Sequence, residues 1–295
     1  ITTFDSFALS VVKKYHDRLN LSQNITIVDE NVINLLKKET IDEIFDYFYK
    51  NSNPHFEKMI TDFCLRDDAE IKKYILDLNN KLDLKYDKSK YLETYINEYY
   101  SNQIINNRVL EYEELLKDNI SKFSSLLQKL ELILDGDDYY DYYEVLEPLL
   151  NASNYDEIKN SLDISLPRLP KNSGEEAKQL KDAINKKITS LQEMCMFSST
   201  SEMIDEYLLT KDYVIAFIDI IKLLDEKIMS YKTKKNIYEF TDISKLAIKL
   251  VSDNDDIRQE LKMYFNEIMI DEYQDTSDLQ EQFIKLIENN NVYMV

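Results

Sequence analysis

Apolar residues recur three and four apart along most of this chain, in runs long enough to make helices its main element. In TTFDSFALSVVKKYHDRL, Phe4, Phe7, Ala8, Val11, Val12, Tyr15 and Leu19 form one stripe at the helical period, and Thr3 or Asp5 is placed to cap it. The same spacing fills Asp42 to Tyr49, Phe56 to Leu65, Ala69 to Leu82 and Lys90 to Leu130, so helix follows helix from about residue 31 to 230. NSNP, RDD, LDLKYDKS and DGDD interrupt the pattern. LPRLPKNSGEE is the clearest loop, because Pro167 and Pro170 donate no backbone hydrogen bond and Gly174 loosens the chain.

Strand signals are few. ITIVDE, residues 25 to 30, is short and β-branched and reads either as a strand or as an extended connection. NEIMID is the best strand in the chain and NVYMV a second, both apolar enough to predict burial. Between them DEYQDT leads into a helix that Ser277 and Gln280 open at capping-box spacing, with Leu279, Phe283, Leu286 and Ile287 as its buried face.

Composition narrows the fold class. Only 2 Gly and 4 Pro occur, so tight turns and glycine-shaped ligand loops are scarce, which argues against an all-β or doubly wound bulk. The 295 residues, 44% of them hydrophobic, suffice for one large or two ordinary domains with a real core. The 56 acidic against 36 basic side chains give a net charge of −20, which repels a polyanion on average and confines any nucleic-acid contact to local patches. Cys64 and Cys195 fit no ligand spacing and suit a reducing compartment, so a cytoplasmic protein is expected. No apolar run reaches the ~18 residues of a membrane span. The start, ITTFDSF, is neither a signal-peptide head nor an initiating Met, and predicts a chain that begins in mid-protein.

A strand ending in two acids, followed by a capped helix, is the layout of a nucleotide-hydrolysing site, since ligands of α/β sheets bind at the carboxyl ends of strands. Asp271 can hold Mg²⁺ as a hard oxygen ligand, and Glu272 lies where a carboxylate can orient and deprotonate an attacking water. Taken alone, such a pair also reads as a solvated strand end. The whole word DEYQDT, however, resembles letter for letter the second helicase motif of the UvrD-like superfamily-one helicases, the AddA and RecB type in particular.

Other segments resemble that family in the same order. ITTFDSF is similar to its single-strand-contacting motif T-[FI]-H-[SA]-F, matched at Thr3, Phe4 and Ser6, with Asp5 where the family has His. The departure puts a phosphate contact at position 5 in doubt, because a carboxylate repels phosphate; helix capping and core packing are the plain readings of these residues. Phe240 to Ile243 resemble the segment [DF]-F-x-D-L, where capping by Thr241 or Asp242 is the simpler reading, and FCLRDDAEIKKYILDL resembles a pattern of the AddA-type helical insertion.

The resemblance implies a mainly α chain: a helical insertion, 30–230, carried on a partial RecA-like α/β domain supplied by 1–29 and 231–295. It implies a parent that couples ATP hydrolysis to movement on single-stranded DNA and duplex unwinding, in repair or recombination. ATP and Mg²⁺ would be its cofactors, and its partners would include DNA and a second helicase or nuclease subunit. Asp271 would hold the metal and Glu272 activate water, while Gln274 and Asp275 would connect the site to the DNA-contacting motif. No G-x-x-x-x-G-K-[ST] loop occurs, so residues 1–295 alone are expected to hold no ATP and to be inactive. The alternative is a noncatalytic acidic helical module for protein interaction.

The remaining features carry less chemistry. His16 and His55 have no partners at zinc spacing. DDYYDYYEV, studded with Asp, reads as a half-buried helix surface rather than a base-stacking platform. Lysines concentrate between Arg168 and Lys187 and again from Lys222 to Lys235; Lys232, Lys234 and Lys235 are candidates for tracking DNA phosphates, against a solvated face with paired acids.

Overall fold

The structure, a computed structural model, describes residues 1–295 and is mainly helical, as the periodicity predicts. In chain order, α1 (Phe4–Lys14) and a 3₁₀ turn (His16–Leu19) lead to β1 (Thr26–Ile27). There follow α2 (Glu30–Lys50), α3 (Pro54–Phe63), α4 (Ala69–Asp83), α5 (Lys88–Tyr100) and α6 (Asn102–Glu131). Next come α7 (Gly136–Leu150), α8 (Tyr155–Asn160), α9 (Gly174–Met194) and the long α10 (Thr200–Lys235). Then β2 (Ile237–Tyr238), α11 (Phe240–Asp253), α12 (Asp255–Tyr264), β3 (Ile268–Ile270), α13 (Asp278–Ile287) and β4 (Val292–Met294) complete the chain. It divides into two compact units, one of residues 1–94 with 212–295 and one of residues 95–211. The predicted insertion, 30–230, takes in the second unit and also residues 30–94 and 212–230 of the first.

In the first unit α11 packs against α1, α12 and α13. Its core includes Ala8, Val12, Ile243, Ala247, Ile248, Val251, Leu279 and Phe283. Phe283 is fully buried, and the rings of Phe4 and Phe7 meet it edge-on at 5.6 and 5.9 Å; aromatic pairs prefer this geometry because the positive edge of one ring faces the negative face of the other. Helix starts follow local chemistry. Thr3 caps α1 by accepting from Ser6 N, and Asn53 with Pro54 opens α3. At α11 the expected capping by Asp242 holds, with Glu239 as the N-cap residue: Asp242 reaches back to accept from Glu239 N at 2.9 Å, and Thr241 takes no part.

Two small parallel sheets frame this core. β1 pairs with β2, Thr26 opposite Ile237, and β3 pairs with β4, Ile268 opposite Val292. α13 is the crossover that a parallel β3–β4 pair requires. The burial expected of both strands is corrected. Ile268 packs partly against the core, whereas Met269 is 73% exposed and Tyr293 and Met294 are exposed as well. Successive strand side chains point to opposite faces, and no element within 1–295 covers the outer one.

The second unit packs α6 against α7 and α9. Tyr142 is buried and donates to Pro167 O at 2.8 Å, Tyr139 and Tyr143 are half-buried, and Tyr140 is exposed. The tyrosine run is therefore a helix face seated on the core. Glu113, itself buried, accepts from Tyr155 N at 2.9 Å and so satisfies an otherwise unpaired amide at the start of α8.

Candidate functional site

The strand β3 delivers the chain to Asp271 and Glu272, and main-chain bonds on either side hold that point. Val295 N donates to Ile270 O at 3.0 Å, and Tyr273 N donates to Val295 O at 2.9 Å. Glu272 lies in the left-handed region, φ 51° and ψ 52°. For a residue with a Cβ this conformation costs about 1–2 kcal/mol, because the Cβ crowds the backbone. The turn beyond it is closed by Asp275 N donating to Glu272 O at 2.9 Å and Thr276 N donating to Tyr273 O at 3.0 Å. The reversal leaves both acidic side chains exposed at the carboxyl end of β3.

Asp271 Oδ1 accepts from Glu272 N at 3.1 Å, while Oδ2 and the Glu272 carboxylate take no bond from the protein. This donor set suits Mg²⁺, which is held by one or two carboxylates together with waters and substrate phosphates. The following helix is fixed as its sequence predicts: Ser277 accepts from Gln280 N, and Gln280 Oε1 accepts from Ser277 N at 3.1 Å. Leu279, Phe283 and Ile287 form its buried face. One contact lies outside what the sequence signals. The Tyr273 phenol pairs with Glu281 on α13, and Glu281 also takes Lys285 at 2.6 Å. Burial and then Glu281 push the phenol up, while Lys285 and Tyr273 pull the Glu281 carboxyl down. The eight-residue separation of Tyr273 and Glu281 across a turn carries no periodic pattern.

Gln274 and Asp275 are exposed in the same turn and make no side-chain hydrogen bond. Thr3 and Ser6 are exposed and spend their hydroxyls on each other and on the cap of α1, Thr3 Oγ1 donating to Ser6 Oγ at 2.9 Å. Phe4 is half-buried against Phe283, and burial raises the Asp5 carboxyl above its ordinary range.

Lys232 is corrected outright. It is only 4% exposed, and its ammonium donates to Glu239 and Asp242 at 2.6 Å each, so it is an internal partner of the α11 capping box rather than a surface cation. Lys234 and Lys235 remain exposed. Elsewhere in the basic stretches Lys178 pairs with Glu175, Lys181 donates to Pro167 O, and Lys227 pairs with Glu43. No helix is long and apolar enough to cross a membrane.

Residues 151–295, which include β3, the acidic turn and α13, match the family described as the UvrD/REP helicase N-terminal domain. Along 100% of its length the chain is similar, at 28% identity, to an ATP-dependent helicase/nuclease subunit of Clostridium botulinum strain Alaska E43. Residues 151–295 are a UvrD-like helicase domain. The corresponding helicase/nuclease subunits of C. botulinum strain Hall and of Clostridium kluyveri strain ATCC 8527 are 24% and 23% identical, each over 99% of the chain. The alignments take in 27%, 25% and 26% of those three proteins, so this chain spans about a quarter of the length of the curated relatives it matches.

Proposed function

We propose that the chain carries the metal- and water-handling half of the ATPase site of an AddA-type DNA helicase, together with the helical insertion. The observation that supports this most is the pair of exposed carboxylates at the carboxyl end of β3, one turned by a left-handed backbone so that no protein group claims it. In this reading Asp271 holds Mg²⁺, which supplies charge neutralisation between the ATP phosphates. Glu272 orients the attacking water and accepts its proton. Tyr273, Gln274 and Asp275 form the turn that keeps Glu272 in place, and the latter two transmit the state of the site to DNA-contacting segments.

Residues 30–230 are proposed as an insertion between two pieces of one RecA-like domain. The pairing of β1 with β2 supports this, because it joins the chain at 26–27 to the chain at 237–238, where the excursion starts and ends. Thr3, Phe4, Ser6, Lys234 and Lys235 are the proposed DNA contacts. The names of the relatives support an ATP-dependent helicase that works with a nuclease activity and a further subunit. For this protein that means cytoplasmic, ATP-driven movement on DNA in repair or recombination, with no turnover by residues 1–295 alone.

The test is Glu272→Gln in the full-length protein. ATP should bind as in wild type while DNA-stimulated hydrolysis falls by at least about a hundredfold, the lower range for loss of a general base. Hydrolysis at the wild-type rate would remove Glu272 from the chemistry.

A further inference from the structure

Phe7 stands in the first turn of α1, half-buried, and touches two rings that lie on opposite sides of the acidic turn in sequence. Its contact with Phe265, edge-on at 5.3 Å and 74°, reaches the residue that ends α12 just before β3. Its contact with Phe283, at 5.9 Å and 63°, reaches the buried face of α13, the helix that follows the turn. Phe265 is tied further in. Its carbonyl accepts from Asn291 Nδ2 at 2.8 Å, and Asn291 O accepts from the amide of Ile268, the first residue of β3, at 2.8 Å. One side chain of α1 therefore bears on both arms of the βαβ unit that carries Asp271 and Glu272.

The hydroxyls at the start of α1 are already committed. Thr3 Oγ1 donates to Ser6 Oγ at 2.9 Å and accepts from Ser6 N at 3.3 Å, while Thr3 O accepts from Phe7 N at 3.0 Å. A hydroxyl has one hydrogen to give, and a DNA phosphodiester only accepts. Thr3 can donate to such a phosphate only by releasing Ser6, so a DNA contact here rearranges the turn in which Phe7 sits. Close-packed interiors transmit such displacements instead of absorbing them. A general base is sensitive to them, because a misplacement of about 1 Å costs on the order of a hundredfold in rate.

We propose that Phe7 is a positioning residue: given the DNA-contacting and ATPase roles assigned above, it carries the occupancy of the α1 N-terminus to the Glu272 turn through Phe265 and Phe283. An apolar ring offers no hydrogen bond to phosphate or to water, and Phe7 acts through where it holds β3 and α13. Stimulation of hydrolysis by DNA depends on this ring, while affinity for DNA rests on Thr3, Phe4, Ser6, Lys234 and Lys235.

The test is made in the full-length protein with Phe7→Leu, which keeps an apolar side chain and removes the ring. The ratio of hydrolysis at saturating single-stranded DNA to hydrolysis without DNA should fall about tenfold, inside the roughly 5–150-fold range of typical coupling between sites. The DNA concentration at half-stimulation and the KM for ATP should stay within about twofold of wild type, since no binding contact is lost. Phe265→Leu should give the same loss, and the double variant no further loss, because both break one connection. Phe45→Leu is the structural control. It removes an edge contact with Phe56, also 5.3 Å, at a fully buried position of the same unit, and should lower the urea midpoint without changing the ratio. An unchanged ratio in Phe7→Leu, a rise in the half-stimulating DNA concentration as large as the fall in ratio, or an equal fall in Phe45→Leu overturns the proposal. Glu272→Gln separates the two levels. If it is inactive while Phe7→Leu keeps the wild-type ratio, the ATPase reading stands and the role of Phe7 falls; if it turns over at the wild-type rate, both fall.

Discussion

Replacing Lys232 by Met should destabilise the protein far more than any change at the neighbouring lysines. The Lys232 side chain is 5% exposed, and its two acceptors, Glu239 and Asp242, are 14% and 13% exposed. Methionine fills the stem's volume but leaves two like-charged carboxylates in the first turn of α11 without a cation. Removing one partner of a buried ion pair costs about 3–5 kcal/mol. The helix N-terminus offsets roughly 0.3–1 kcal/mol of that for each acid, which leaves a loss of about 3 kcal/mol, a large share of the ~5–15 kcal/mol of a typical domain. The exposed Lys234→Met and Lys235→Met should stay within about 0.5 kcal/mol of wild type. Urea unfolding followed by far-UV circular dichroism measures all three. Adding Glu239→Gln and Asp242→Asn to Lys232→Met removes the stranded charges and should restore most of the loss. The dependence on pH has a definite sign. Burial alone would lower the Lys232 ammonium, but Asp242 and Glu239 outweigh it and hold it above the ordinary range. Its contribution is then fully present below the unfolded lysine value of about 10.4 and fades as pH rises through the higher folded value. A Lys232→Met protein within 1 kcal/mol of wild type at pH 7, a bound roughly a third of the expected loss, would refute the reasoning.

Two further outcomes follow from the same structure. Glu272→Gly should abolish hydrolysis and yet raise stability by about 0.5–1 kcal/mol, because the left-handed strain disappears and glycine's entropic cost offsets part of the gain; an unchanged or lower urea midpoint would mean that the turn is unstrained. Burial would raise the Asp83 carboxyl, but Lys88 and Lys37 outweigh it and hold it below the ordinary range. Wild type should therefore exceed Asp83→Asn in stability by a constant amount above about pH 5 and lose that margin as pH falls through the folded value, as a series of urea titrations from pH 3 to 7 would show.

Much of the architecture is written in helical periodicity. α1, α3 and α4 lie where their apolar stripes predict, and the Ser277–Gln280 capping box is readable because both ends of a local hydrogen-bond exchange fall within one helical turn. The break at Ser101, which splits one expected helix into α5 and α6, falls in a run without Gly or Pro to announce it. β2 escapes notice because two residues cannot show alternation. The acids of the site are legible as a word, but the left-handed turn at Glu272 is not: glutamate carries no preference for that conformation, and the bonds from Val295 that impose it arrive from the other end of the βαβ unit. The place of Lys232 is hidden for a related reason. In sequence it is one of three closely spaced lysines, and only packing shows that its turn of α10 faces the acids of α11.

The partnership of α1 with α11 also sets a timetable for synthesis. The apolar stripe of Phe4, Ala8, Val11 and Val12 finds its cover in helices that begin at Phe240 and Asp278. At the ~5–20 residues per second of a ribosome, α1 emerges roughly 12 to 50 seconds before α11. Within that interval the whole of the compact unit 95–211 is synthesised, while the first helix still lacks its cover from α11 and α13. A chaperone that binds short apolar helices would find α1 early, and its release would wait for the last quarter of the chain.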